Sequence, residues 1–426
     1  MSNDRSTPSR RLFLQTSAAA ATVGGVLLNS SPVHAAGSDI LKVGLVGCGG
    51  RGGGAAVNAL NADKNTKLTA LCDVFEDRLT TKLSELKGEF ADRVDVPKER
   101  QFTGFDGYKQ LIDSGVDVVL LCSTPAFRPQ HVAYAVEKGK HIFMEKPHAV
   151  DATGVRSILE SVKKAKEKNL CMVSGFCWRY HEPKRDTVKR IHDGMIGDVQ
   201  VMHSTYLTGS LWYRGHEDKT PVEYQLRNWY YYTWLSGDFY VEQHIHNIDK
   251  INWVMKGEKP IAASGMGGRQ TRTEKKYGNI WDHFTVVFEY ANGRRVITQC
   301  RQVDKTFGSV QDHIYGTKGK GELMDHSLTP YGGSTWKFTG KGKFDMYQTE
   351  HDELFAAIRS GKVINDGEES AYSTLMGIMG REASYCSQRI TWEQIKNSKQ
   401  DLVPTNLAFG DKPVDEIPVP GRYKFV

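Results

Sequence analysis

The residues whose types and spacing could do chemistry fall into short constellations. The first is Gly47-Cys48-Gly49-Gly50-Arg51-Gly52, which follows the apolar run Leu41–Val46 and opens a helical stretch; Asp73 closes the next apolar run. In a strand–turn–helix, Gly47 permits the tight turn, Gly49 lets backbone amides approach a pyrophosphate, and Gly52 allows close helix–strand packing. Asp73 is expected to accept hydrogen bonds from ribose hydroxyls and to repel a 2′-phosphate, which favours NAD over NADP, with Arg78 partly offsetting the repulsion. Arg51, inside the loop, belongs to the same cofactor-facing group. Ser123-Thr124-Pro125 ends a later strand and is expected to face the cofactor, or else to form an ordinary turn. His131, a little further on in a helical stretch, reads as a supporting residue on that side.

Two further constellations could move protons. Glu145-Lys146-Pro147 ends the strand His141–Met144, which sets Lys146 at the carboxyl edge of the sheet with Glu145 on the cofactor side. There the charge of a nicotinamide ring opposes that of an ammonium, which suits proton exchange with a substrate hydroxyl. In the segment 242–253, Glu242, His246, Asp249 and Trp253 share one face of a helix predicted over 237–255. A His beside a carboxylate on the buried side of a helix is a candidate general base, and equally a satisfied core residue. His244 points elsewhere and lacks that support.

The surrounding elements must position these groups. From Ile40 to Phe176 apolar strands (Leu41–Val46, Leu68–Cys72, Val116–Cys122, His141–Met144, Cys171–Phe176) alternate with 3.6-periodic stretches such as Thr80–Phe90 and Val155–Lys168. That alternation predicts a doubly wound parallel sheet, an α/β Rossmann domain over 36–176, with ligands at the carboxyl ends of its strands. After Phe176 the strands lengthen and take period two: Val199–Tyr206, Asp282–Tyr290, Arg294–Arg301 and Gln311–Tyr315. Asn292-Gly293 between two of them is a hairpin signal. An α+β domain over 177–400 with a large, mainly antiparallel open sheet is expected, then a late helix over 368–387 and a tail over 401–426. The open face calls for cover by the first domain or by another subunit, as in a homodimer or homotetramer.

Composition narrows the class. At 426 residues, two domains are the default; 39% hydrophobic and 25% charged residues describe a globular chain, not a disordered one. The net charge of +6 is dispersed, with no basic stripe and no nucleic-acid-binding motif, so nucleic acid is excluded as an expected partner. Seven cysteines form no CxxC pair and no cluster with His, so neither metal nor disulfide is expected. Arg10-Arg11-Leu12-Phe13-Leu14, an apolar run over 16–28 and Val33-His34-Ala35 read as a twin-arginine (Tat) signal over 1–35, cleaved near Ala35 or retained as an anchor. That predicts a periplasmic protein exported by the Tat machinery.

These motifs together resemble the Gfo/Idh/MocA family: the glycine loop, Asp73, the Thr-Pro strand end, Glu145-Lys146-Pro147 and a helix carrying His246-x-x-Asp249. The resemblance covers nearly the whole chain beyond the signal. It implies that Lys146 and His246 flank the carbon whose hydride passes to a nicotinamide, and that the Lys146–Pro147 bond is cis. It also implies that the segment Trp178-Arg179-Tyr180 lines cofactor and substrate, with Asp249 on the substrate side. Where the family has Asp four residues before the His, this chain has Glu242. An aromatic cluster (Trp212, Tyr213, Tyr224, Trp229–Tyr232, Trp234) could stack on a sugar, with Tyr230 and Tyr231 as substrate contacts, or could simply be packed.

The leading expectation is hydride exchange between a sugar or polyol and tightly bound NAD. Folded export explains how a nicotinamide reaches the periplasm, and such a cofactor must be regenerated within each cycle. The alternative is an NAD-dependent glycoside hydrolase that oxidises C3 transiently and eliminates the aglycone, using His246, Tyr230 or Tyr231 as the extra base. A nicotinamide-binding sensor without catalysis is the third reading.

Overall fold

The computed structural model describes residues 39–426, so the signal expected over 1–35 lies outside the described residues. Six short strands form the first sheet: β1 (Leu41–Val46), β2 (Thr66–Asp73), β3 (Gln101–Thr103), β4 (Val118–Leu121), β5 (His141–Met144) and β6 (Met172–Ser174). Their order is β3-β2-β1-β4-β5-β6 and every pairing is parallel. The apolar runs are continuous because helices cover both faces of such a sheet. The direction of winding reverses between β1 and β4, and the crevice at that switch point opens above Gly47 and Cys122. β3 pairs with the end of β2, Asp73 opposite Thr103; three residues are too few to show a period in sequence.

The second sheet has nine strands: β7 (Val199–Thr208), β8 (Ala262–Gly268), β9 (His283–Glu289), β10 (Arg295–Gln302), β11 (Ser309–Gly316), β12 (Gly319–Glu322), β13 (Ser327–Pro330), β14 (Trp336–Lys337) and β15 (Ile390–Thr391). It is antiparallel except where β7 meets β10. Asn292 and Gly293 both take positive φ in the β9–β10 turn, as the hairpin signal requires. On one face the strands bury Phe284, Val286 and Phe288 against the helix Gly367–Cys386; on the other, β9 carries half-buried His283, Thr285, Val287 and Glu289.

Two departures from the sequence reading bear on the site. The single helix expected over 237–255 is two, Phe239–Glu242 and Ile245–Val254. At the break the His244 amide reaches back five residues to the Phe239 carbonyl (3.1 Å), and the Gln243 side chain donates to the Tyr206 hydroxyl (2.6 Å). Second, the helix Met346–Ser360 packs beneath the glycine-loop helix Gly50–Ala62, burying Leu354, Phe355 and Ile358 with β1 and β4 residues. Gln348–Asn58 and Arg359–Asp63 contacts fix that docking. Among the described residues no helix is long and apolar enough to cross a membrane. All seven cysteines are free; burial pushes the Cys122 thiol up to about 12, which removes it as a nucleophile.

Candidate active site

Backbone shape makes the first half of the site. Gly47 has φ +96°, and a Cβ there would lie 2.6–2.7 Å from the Cys122–Ser123 peptide. A Cβ on Gly52 would meet the Gly47 carbonyl at 1.8 Å, so helix and turn close only on glycine. A Cβ built on Gly49 would meet nothing within 4 Å, so that side of the loop is open to a ligand. Asp73 accepts from the Cys48 amide (2.7 Å) and the Phe75 amide (2.9 Å), and burial raises its carboxyl above the usual range. These residues line a cavity of about 360 Å³ with Arg78, Ser123, Thr124 and His131. The Thr124 hydroxyl is buried there without a partner, whereas His131 bonds to Ser123 (3.1 Å) and is held neutral by burial, at about 3. An open glycine loop, an orphaned hydroxyl and an acid at the end of β2 fit a dinucleotide.

Charge makes the second half. A cavity of about 270 Å³ adjoins the first and shares Arg51, Cys122, Ser123 and Trp229 with it. Lys146, Glu242 and His246 converge on it. The Lys146–Pro147 bond is cis, and Lys146 Nζ donates to the Glu242 carbonyl (2.7 Å) and to Glu242 Oε1 (2.8 Å). Glu242 therefore serves Lys146, not His246 as expected from a continuous helix, because the break at 243–244 turns the two side chains separately onto the cavity. His246 Nδ1 is buried without a partner. Burial, then the charges of Lys146 and Lys250, hold its pKa well below the ordinary value, with His244 adding to this. A neutral imidazole that lines the cavity beside Lys146 can take a proton from a hydroxyl bound between them.

Two arginines brace this half. Arg51 pairs with Glu145 and, at 2.8 Å, with Glu350 from the helix Met346–Ser360, while stacking over Tyr347 at 4.8 Å. Arg128 is buried and donates to the Pro147 and Ser123 carbonyls, tying the end of β4 to the Lys-Pro turn.

A sequence-family model described as "oxidoreductase family, NAD-binding Rossmann fold" of Gfo/Idh/MocA matches residues 41–175, and that family's C-terminal domain matches residues 185–322. The chain belongs to the Gfo/Idh/MocA oxidoreductase family. Its first domain is the NAD-binding Rossmann domain of that family. Among curated relatives it is 25% identical to a myo-inositol 2-dehydrogenase of Thermotoga maritima, over 66% of this chain and 74% of that one. It is 24% identical to glycosyl hydrolase family 109 protein 5 of Phocaeicola vulgatus, over 61% of this chain but only 51% of that one. In fold it is similar to scyllo-inositol dehydrogenase from Lactobacillus casei with bound NAD(H) and scyllo-inositol (TM-score 0.62, 18% identity, 83% of this chain and 99% of that one).

Several expected site residues of this Gfo/Idh/MocA chain are spent elsewhere. Arg179 makes a forked pair with Asp249 (2.8–3.0 Å), which also accepts from Ser373 (2.7 Å). Tyr180 donates to Asp366, and Trp178 faces Lys184 at 4.1 Å. None of Trp178, Arg179, Tyr180 and Asp249 lines either cavity. Tyr230 and Tyr231 are buried with their hydroxyls committed, to Gln302 and to the Leu211 and Trp212 carbonyls. His244 is buried against Tyr240, with no partner for either ring nitrogen. The sequence reading missed Arg128, Gln243, Glu350 and Tyr347. Gln243 lay beside a named residue, but the others act across long separations and carry no local pattern.

Proposed function

We propose that this chain exchanges a hydride between tightly held NAD and a carbinol carbon of a sugar or polyol. The reading rests on one observation above the rest: Lys146, Glu242 and His246 meet in a cavity that shares its wall with the dinucleotide cavity. The dinucleotide, when bound, supplies a two-electron acceptor or donor of hydride. Lys146, steadied by Glu242, donates a hydrogen bond to the substrate oxygen. His246, neutral because it is buried beside positive charge, takes the hydroxyl proton as the C–H bond yields its electron pair; in the reverse direction it returns the proton. Arg51 and Arg128 hold the loop and the Lys-Pro turn in register. The inositol dehydrogenases among the relatives support a polyol or sugar as substrate.

The family 109 relative keeps the hydrolase in view. That reaction needs a second base beside the sugar. Of the three candidates, Tyr230 and Tyr231 have committed hydroxyls outside the cavity and only His246 lines it, which favours the oxidoreductase. We also propose that the chain is exported by the Tat route with its cofactor already bound, and that the open face of the second sheet pairs with another copy. The test is product analysis on a panel of polyols, sugars and aryl glycosides without added NAD. Oxidised sugar as product, stoichiometric with reduced bound cofactor, supports the oxidoreductase. Free aglycone with no net redox supports the hydrolase.

A further inference from the structure

The wall of the dinucleotide cavity opposite the glycine loop is not built by the Rossmann sheet. Trp212, Arg214, Leu226 and Trp229 form it, all from beyond β7. The first two sit on a stretch without helix or strand, residues 209–215, yet that stretch is fastened. Tyr231 Oη donates to the Leu211 carbonyl (3.1 Å) and the Trp212 carbonyl (2.9 Å). Asn228 accepts from the Arg214 amide (3.0 Å) and donates to the Gly215 carbonyl (2.9 Å). Trp212 packs against Trp229 and Tyr230, with ring centroids 6.0 and 6.1 Å away. The aromatic cluster therefore has a use other than stacking on sugar: it stiffens a loop over the cofactor cavity.

The charges on this wall call for an anion. The Arg214 guanidinium lies 4.4 Å over the Trp212 ring and forms no salt bridge among the described residues. Arg78 lines the same cavity and is also without a salt bridge among the described residues; burial lowers its pKa, and the attraction of Asp73 and Asp77 is set against repulsion from Arg214 and Arg227. Two such arginines, drawn to one cavity beside open loop amides, are brought into balance by a diphosphate. Behind them Phe409, from the C-terminal tail, packs on Phe75 and Phe105 (5.9 and 5.1 Å), which line the cavity edge. The Gly410 carbonyl accepts from the Val222 amide (3.2 Å), which holds the tail in place.

We propose that residues 209–215 are a strap that retains the dinucleotide, with Arg214 and Trp212 as its contacts and Asn228 and Tyr231 as the residues that hold it closed. Arg214, with Arg78, binds phosphate charge; Trp212 and the Phe409 wedge shield the cavity from solvent. This rests on the NAD reading and adds a reason for slow exchange. The test loads the full chain with NADH, mixes it with excess NAD, and follows loss of tryptophan-sensitised NADH fluorescence. Arg214→Ala is expected to release NADH at least about tenfold faster than wild type, a shift typical of losing a charge-assisted contact. Arg214→Lys is expected to restore part of the retention, and Asn228→Ala to speed release while touching no ligand. The thermal midpoint of each nucleotide-free variant shows that the fold is intact; where Ala unfolds the chain, Arg214→Lys carries the test. Wild-type release rates in Arg214→Ala, or in Arg214→Lys where that variant carries the test, would overturn the strap while leaving the NAD reading intact. A wild-type chain that takes up neither NAD nor NADH would overturn both.

Discussion

The two adjoining cavities are built by different physics. The dinucleotide half is shaped by backbone: glycines placed where a Cβ would collide, amides left open, and an acid closing β2. The inner half is shaped by charge, through Lys146–Glu242, Arg51–Glu145–Glu350 and Arg128 on two carbonyls. Steric closure tolerates no substitution, whereas a charge network degrades in steps. The first half should thus govern whether the cofactor binds at all, and the second how fast a proton and a hydride move.

The largest effect is expected at the steric half. Gly52→Val forces a side chain into the Gly47 carbonyl, and dinucleotide affinity should fall by about a thousandfold or more, read by calorimetric titration. Affinity within tenfold of wild type would break the division. Next comes Lys146→Met, which should lower kcat by about 10³ while the cofactor Kd moves by less than about threefold. Parallel loss of cofactor would mean that the halves are not separable. His246→Asn should cost about 10² in kcat.

The pH profile sharpens the same contrast. His246 has a depressed pKa, so its neutral, proton-accepting form is present at all pH values above that depressed value and is lost only as pH falls through it. The acid limb of kcat/KM should therefore not sit near 6.5, where an ordinary His would place it. A limb at 6.5 that vanishes in His246→Asn would contradict this environment. The smallest effect is expected for Glu350→Gln. Arg51 keeps Glu145, so kcat should fall only about five- to tenfold, about 1 kcal/mol, with the cofactor Kd little changed.

The legibility of the two halves differs for the same reason. The glycine loop, Asp73 and the parallel strands around them follow from local pattern, since each requirement is met within one strand–turn–helix. Lys146 is legible because it ends a strand, and His246 because it shares a helix face with carboxylates. The network joining them spans separations that no period records: Arg51 with Glu350, Arg128 with Pro147, Lys146 with Glu242. In sequence Glu242 reads as a partner of His246, whereas the helix break, where Gln243 bonds to Tyr206 of β7, leaves Glu242 paired with Lys146. Arg179 and Asp249 satisfy a chemical pattern but spend it on each other, since a buried carboxylate needs a paired cation.

The central claim is that the two cavities form one redox site, and isotope transfer tests it most directly. The full chain is incubated with a polyol deuterated at the carbinol carbon, then denatured, and the released dinucleotide is weighed. The account predicts bound nucleotide carrying one deuterium from wild type and unlabelled nucleotide from Lys146→Met. Substrate turnover with no nucleotide, or with nucleotide that never takes up the label, would contradict it.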